Sequence, residues 1–515
     1  MRSKKAAYNF AAALIELAVV TIASFVVPRY IISAFGSEVN GLVGSIKQFL
    51  SYIALVESGI GAIGRASLYK PLADNDRDTI SGNFRAIEGF YRKVAYLFLG
   101  YVAVLSVLYP LLVNKEFDKL YTAVLLCILA ISTFIQYYYG ITNQTLVQSD
   151  QRKYITSLLR SLTVALNMVF TIIFVRLHAS IHVVKLGSAL AYTVRPIILY
   201  FYCKKRYGVN RKAQPNKIIL KQRWDGLAQH IAFFIHKNTD IAVLTVLANM
   251  KEVSVYSVYM LAVSGCSKII NIISSSLEPA FGNMIAKGEK DVLEKRVSLC
   301  SILVYQSTVI LFTAAAFVIS PFITIYTRGV TDVNYMRPAF GIIMLLAEAV
   351  YCIRMPFQSA VYAAGHFRQT RNGAIAEAVL NIVISVVLVF KFGLIGVAIG
   401  TLVSMTVRTA QYIWYYHKKL LGTGSGFAGE IKKLIISATE IAVFYGAFSL
   451  LPAYNPPGYI KWFAYSLGIG LMCLAIGAVF SLVFYRKEVR DLLGIVKHLL
   501  RRMKPSKTGA EKSKS

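Results

Sequence analysis

Runs of about 20 to 25 mostly apolar residues recur along the whole chain, separated by short links where Gly, Pro and charged residues collect. That is the length a helix needs to cross a hydrocarbon core, whereas strands of a membrane barrel alternate apolar and polar positions over about 10 residues. The pattern predicts an all-α polytopic membrane protein. It yields about fourteen transmembrane helices, beginning near residues 8, 41, 91, 119, 155, 181, 224, 252, 297, 335, 371, 393, 432 and 461. An even number puts both termini on one side.

Lysine and arginine choose the side. If the N-terminus is cytoplasmic, 39 of the 56 fall in inner segments, 9 in outer links and 8 within spans. Short basic links resist translocation, so both termini are expected in the cytoplasm. The largest inner link is "KKRYGVNRKAQPNKIILKQR" at 204–223, and no link is long enough for a separate soluble domain. The tail from 486, "RKEVRDLLGIVKHLLRRM", puts Val489, Leu492, Val496, Leu499 and Met503 on one helical face among basic residues, as in a helix lying on an anionic leaflet. The final "KPSKTGAEKSKS" has the composition of a disordered end.

Composition removes several classes of function. The 515 residues are 56% hydrophobic with a mean hydropathy of +0.56, too apolar for a soluble protein. The net charge of +31 sits mainly in the inner links, so anionic phospholipids and not nucleic acid are the expected counterions. Six scattered cysteines form no CxxC pair, and His178 and His182 have no third ligand nearby. The phosphate-loop pattern GxxxxGK[ST] is absent, and "DND" at 74–76 reads as a solvated link. No catalytic residue, metal site or cofactor is assigned.

One phrase is written twice. "TVRPIILYFYCKKRYG" at 193–208 returns as "TVRTAQYIWYYHKKLLG" at 406–422, with TVR displaced by 213 positions and the KK pair slipped by one more. Gln144, Val147 and Asn167 have counterparts at Gln358, Val361 and Asn381, each displaced by 214. Six spans separate the copies, so both insert in the same orientation, as parallel repeats of some secondary transporters do. The organisation that follows is an N-lobe at 1–203, a basic linker at 204–223, a C-lobe at 224–420, two extra helices at 421–485 and a tail at 486–515. Two parallel-related six-helix lobes rocking about a central cavity give alternating access.

Charges inside spans are costly and mark the cavity. Arg29, Arg65, Lys237 and Lys268, from spans one, two, seven and eight, form a cationic set suited to phosphate or pyrophosphate, and Arg354 lies in span ten. Glu16, Glu57, Asp240 and Glu348 are candidate ion-coupling groups or charge partners, and Arg160, Glu377 and Glu440 also fall in spans. Arg65, Arg195 and Arg408 lie close enough to cytoplasmic ends to snorkel.

The stretches "LVESGIGAIGRASLYKPLADND" and "LEPAFGNMIAKGEKD", with the repeat and the basic link after span six, resemble a polysaccharide-unit flippase of the Wzx type, in the multidrug/oligosaccharidyl-lipid/polysaccharide exporter superfamily. The resemblance covers essentially the whole chain. It implies transfer of a polyprenyl-pyrophosphate-linked oligosaccharide from the inner to the outer leaflet of a bacterial cytoplasmic membrane, for surface polysaccharide synthesis. Arg29, Lys237 and Lys268 would bind the pyrophosphate, with Arg65 beside them. The coupling ion would be Na+ or H+, and polysaccharide polymerase machinery would be a partner. The alternative is a cation-coupled multidrug exporter of the same superfamily, with Glu16 and Asp240 carrying the ion. A cationic cavity favours the first, an acidic one the second.

Overall fold

The computed structural model describes residues 2–57, 60–113, 116–216, 238–422, 426–449, 454–492 and 494. Among them are fifteen α-helices and no strand. They are α1 (Arg2–Ser51), α2 (Ile60–Asp74), α3 (Arg77–Leu112), α4 (Lys119–Ile135), α5 (Ile141–Ser149), α6 (Lys153–Arg176), α7 (Ile181–Tyr207) and α8 (Asn238–Leu247). Then follow α9 (Met250–Ala286), α10 (Lys290–Tyr326), α11 (Pro338–Ala363), α12 (Phe367–Phe392), α13 (Leu394–Tyr415), α14 (Gly426–Ser449) and α15 (Tyr459–Phe484). Eleven segments are long and apolar enough to cross a membrane, which makes this a multi-pass membrane protein. Residues 217–237, which hold Lys237 and most of the expected seventh span, lie outside the described residues, as does most of the tail. Helix α14, expected as the thirteenth span, carries Glu430, Lys432, Lys433 and Glu440 and is not among the eleven.

The first segment, Ala7–Leu55, spans 49 residues because α1 is two helices joined at a break. At Gly36 the backbone takes φ 82° and ψ 174°, a region open essentially to glycine alone. The Asp332 carboxylate then caps the restarted helix, accepting from the Ser37 amide at 2.6 Å and the Ser37 hydroxyl at 2.8 Å. A Cβ on residue 36 would meet Asp332 Oδ2 at 3.1 Å. Gly36→Ala is expected to cost about 1–3 kcal/mol, read as a lower thermal unfolding midpoint in detergent.

The chain divides into two compact units. The first comprises Met1–Leu261, Tyr326–Phe340 and Phe367–Ser404. Within it α1 packs on α6, α6 on α7, α3 on α4, and α4 on α7. Asp150, in the turn after α5, ties three pieces together: Lys5 Nζ lies 3.1 Å away, Arg152 Nε 2.6 Å and the Tyr207 hydroxyl 2.9 Å. Burial alone would raise the Asp150 carboxyl, but the bonds from Tyr207 and Lys5 and the Arg152 charge outweigh it and hold the group below the usual carboxylate range. The second unit comprises Ala262–Ile325, Gly341–His366 and Met405–Ser515. Its core joins Val309 of α10 to Phe444 and Phe448 of α14 and to Ile469 and Cys473 of α15. In it Lys433 Nζ lies 2.6 Å from both Glu430 Oε1 and Ser301 Oγ.

The duplicated phrase has a local structural counterpart. Both copies end on a glycine in the left-handed region, Gly208 at φ 57° and Gly422 at φ 81°, where a helix C-terminus favours glycine. The one-residue slip between TVR and the KK pair coincides with a π turn at Tyr416–Leu421, where the first copy stays α-helical. A π turn accommodates one extra residue in a helix, so the slip lengthens the chain without ending the helix.

Candidate functional site

Within the first unit, α1, α2, α5, α6 and α7 surround a cavity of about 900 Å³. Its walls carry Lys47, Arg65, Arg160 and Arg195, with Glu57 the one carboxylate among its lining residues. A second π turn, Gln136–Gly140 between α4 and α5, borders it and contributes Gln136 and Tyr137 to the wall. Such turns redirect side chains without ending a helix and recur at functional sites.

The four cations are held differently. Arg160 Nη1 lies 2.9 Å from Glu16 Oε1, so its charge is largely balanced. The Arg195 guanidinium donates to Gln144 Oε1, a neutral partner that orients the charge, and makes no ion-pair contact among the described residues. Neither the Arg65 guanidinium nor the Lys47 ammonium makes an ion pair among the described residues. Glu57 accepts a bond from Tyr137. With Arg160 met by Glu16, one lining acid faces three further cations, and the cavity has a positive interior that attracts an anion.

A smaller chamber of about 490 Å³ adjoins the cavity and shares Lys47, Tyr137, Asn167 and Tyr192 with it. It adds Lys185 of α7, which is only 2% exposed, and no carboxylate is among its lining residues.

Asp240 of α8 is the centre of a distinct polar cluster in the same unit. Its Oδ2 accepts from the Tyr256 hydroxyl and the Thr401 hydroxyl, each at 2.9 Å, and the Asn381 amide nitrogen lies 3.5 Å from Oδ1. Asn381 Oδ1 is buried and makes no hydrogen bond, and the Val397 carbonyl is 3.2 Å from Thr401 Oγ1. One carboxylate among neutral oxygens is a donor set suited to a small hard cation or a proton.

The sequence-derived residues are spread over these settings. Arg65, Glu57 and Arg160 line the large cavity, and Glu16 pairs with Arg160. Arg29 does not line it: its Nη2 donates to the Arg328 carbonyl at 2.6 Å. In the second unit, Lys268 is exposed, Glu348 is buried and accepts from Ser267 Oγ at 2.5 Å, and Arg354 is buried with its guanidinium 4.6 Å from the Tyr351 ring centre. Lys237 lies outside the described residues. Sequence reasoning did not single out Lys47 and Lys185. The available signal was the repeat, because Asn167 and Ser188 stand 214 and 213 positions before Asn381 and Thr401.

The chain shares its fold with solved membrane transporters, among them members of the MOP superfamily. It superposes on the lipid II flippase MurJ in an inward closed conformation with a TM-score of 0.69 at 14% identity, covering 94% of this chain and 99% of that one. An inward-facing multidrug resistance MATE family transporter of the same superfamily gives 0.61 at 15% identity, covering 80% and 99%. A MOP superfamily transporter from Pyrococcus furiosus, described as having a binding pocket of reverse polarity, gives 0.51 at 14% identity, covering 81% and 95%. No family model and no curated protein sequence matches the chain.

Proposed function

We propose that this protein is a flippase that carries a polyprenyl-pyrophosphate-linked oligosaccharide from the cytoplasmic to the outer leaflet of a bacterial plasma membrane, by alternating access and without chemistry on the substrate. The observation that carries the reading is the charge of the large cavity, where Arg160 is met by Glu16 and the remaining cations Arg65, Arg195 and Lys47 face a single lining acid, Glu57. A membrane-embedded cationic cavity is costly unless an anion enters it, and a diphosphate supplies charge and acceptor oxygens for two arginine forks. An exporter of organic cations needs the opposite sign.

The fold shared with both a lipid flippase and a drug transporter supports transport and leaves the choice to the cavity. Fourteen spans in two parallel six-helix lobes, with both termini cytoplasmic, accord with the lysine and arginine distribution. The basic inner links would rest on anionic lipid headgroups, and polymerase machinery would receive the product. Asp240 and its oxygen-rich neighbours would hold the coupling Na+ or H+. Substrate would enter the positive cavity from one leaflet, and its lipid tail would stay in the bilayer while the sugars pass between lobes.

Cells lacking the protein are expected to accumulate lipid-linked oligosaccharide on the cytoplasmic leaflet, reversed by restoring the gene. An unchanged pool and leaflet distribution, with redundant flippases removed, would exclude the reading.

A further inference from the structure

We infer that the Lys47–Lys185 chamber is a subsite for an anionic sugar, taking the carboxylate of a uronic-acid-type residue of the oligosaccharide. This rests on the flippase reading and names the substrate class within it. Lys185 is buried to 2% exposure, and neither it nor Lys47 has a hydrogen-bond or ion-pair partner among the described residues. Two lysines on one chamber without a counter-charge can both be charged only at a cost in free energy, which an entering carboxylate would offset. The volume of about 490 Å³ is in the range that small-molecule ligands occupy. The remaining wall offers Ser132, Thr133, Tyr137, Asn167, Ser188 and Tyr192, hydroxyls and an amide suited to sugar hydroxyls.

The duplication shows what is special here. Asn167, Thr171, Val184 and Ser188 on α6 and α7 correspond, at displacements of 214, 214, 213 and 213, to Asn381, Ser385, Val397 and Thr401 on α12 and α13. Ser188 Oγ lies 3.0 Å from the Val184 carbonyl, and Thr401 Oγ1 lies 3.2 Å from the Val397 carbonyl while its proton goes to Asp240. In the second copy this frame faces the Asp240 carboxylate. In the first, Val27 in the chamber wall stands 213 positions before Asp240, and Lys185 stands 213 before Ala398. One helical-hairpin frame thus serves an acid in one copy and a base in the other, so the first copy is built for an anion. The diphosphate is assigned to Arg65 and Arg195 in the larger cavity, which leaves the chamber for a charge on the sugar.

Three probes test this on the full-length protein in detergent: a polyprenyl diphosphate, the same lipid bearing a glucuronate-containing disaccharide, and its carboxyl-reduced counterpart. The glucuronate lipid is expected to bind about tenfold more tightly than the reduced one, the scale of one charge-assisted hydrogen bond. Lys185→Met, which removes a buried charge at similar volume, is expected to erase that preference and change binding of the reduced lipid less than about twofold. Lys185→Arg is expected to keep the preference. Equal binding of both sugar lipids by the wild type overturns the inference. So does an equal loss for all three probes in Lys185→Met, which would place the lysine in the diphosphate grip. Failure of the bare diphosphate to bind would sink the flippase reading instead, and the comparison of the two sugar lipids still decides the subsite.

Discussion

Replacing Arg65 and Arg195 together with glutamine is expected to slow transfer of a lipid-linked oligosaccharide by about 100-fold in reconstituted vesicles, while the protein folds and inserts normally. Each guanidinium in contact with a phosphate contributes about 1.5–3 kcal/mol, and the open cavity reduces that toward the lower end, so two removals amount to about 3 kcal/mol. Neither residue has a carboxylate partner, so glutamine strands no buried acid. Arg160 provides the contrast. Its charge is already met by Glu16 at 2.9 Å, so Arg160→Gln is expected to lower transfer less than either single change. Organic-cation efflux gives the opposite sign: a cation exporter would run faster once two positive charges left the cavity. Faster cation efflux with unchanged lipid transfer would therefore reverse the functional assignment.

Much of this arrangement was legible in the sequence, and the limits have physical causes. The all-helical, multi-pass character followed from apolar run length because a lipid-exposed helix must be apolar over a fixed distance, and TVR, Gln144 and Asn167 carry the expected repeat. The fates of individual charges did not. Arg29 looked like a cavity cation beside a carbonyl freed by Pro28, yet its partner is the carbonyl of Arg328, 299 residues away. Periodicity reveals which residues share a helix face but not what that face meets. Lys47 and Lys185 escaped notice because single lysines in apolar runs also arise by snorkelling. They acquire meaning only when the walls of the chamber are assembled and the repeat supplies the matching acidic site. The π turn at Gln136–Gly140 had no visible signal, whereas that at Tyr416–Leu421 was foreshadowed by the slip within the duplicated phrase.

Asp240→Asn is expected to uncouple transport from the ion gradient. The side chain keeps its shape and its acceptor oxygen, so the bonds from Tyr256 or Thr401 can persist, but the charge that would hold a cation is gone. Coupling free energies between sites are commonly 1–3 kcal/mol, or roughly 5- to 150-fold, so the variant with an imposed gradient should fall to the rate of wild type without one. Substrate binding should change less than about twofold, because Arg65, Arg195 and the cavity wall are untouched. Imposing a sodium gradient at fixed pH, and a pH gradient without sodium, identifies the ion, since only one of them should accelerate the wild type. A variant that still responded fully to the active gradient would move the coupling site away from Asp240, and Glu57 in the cavity wall would be the next residue to change.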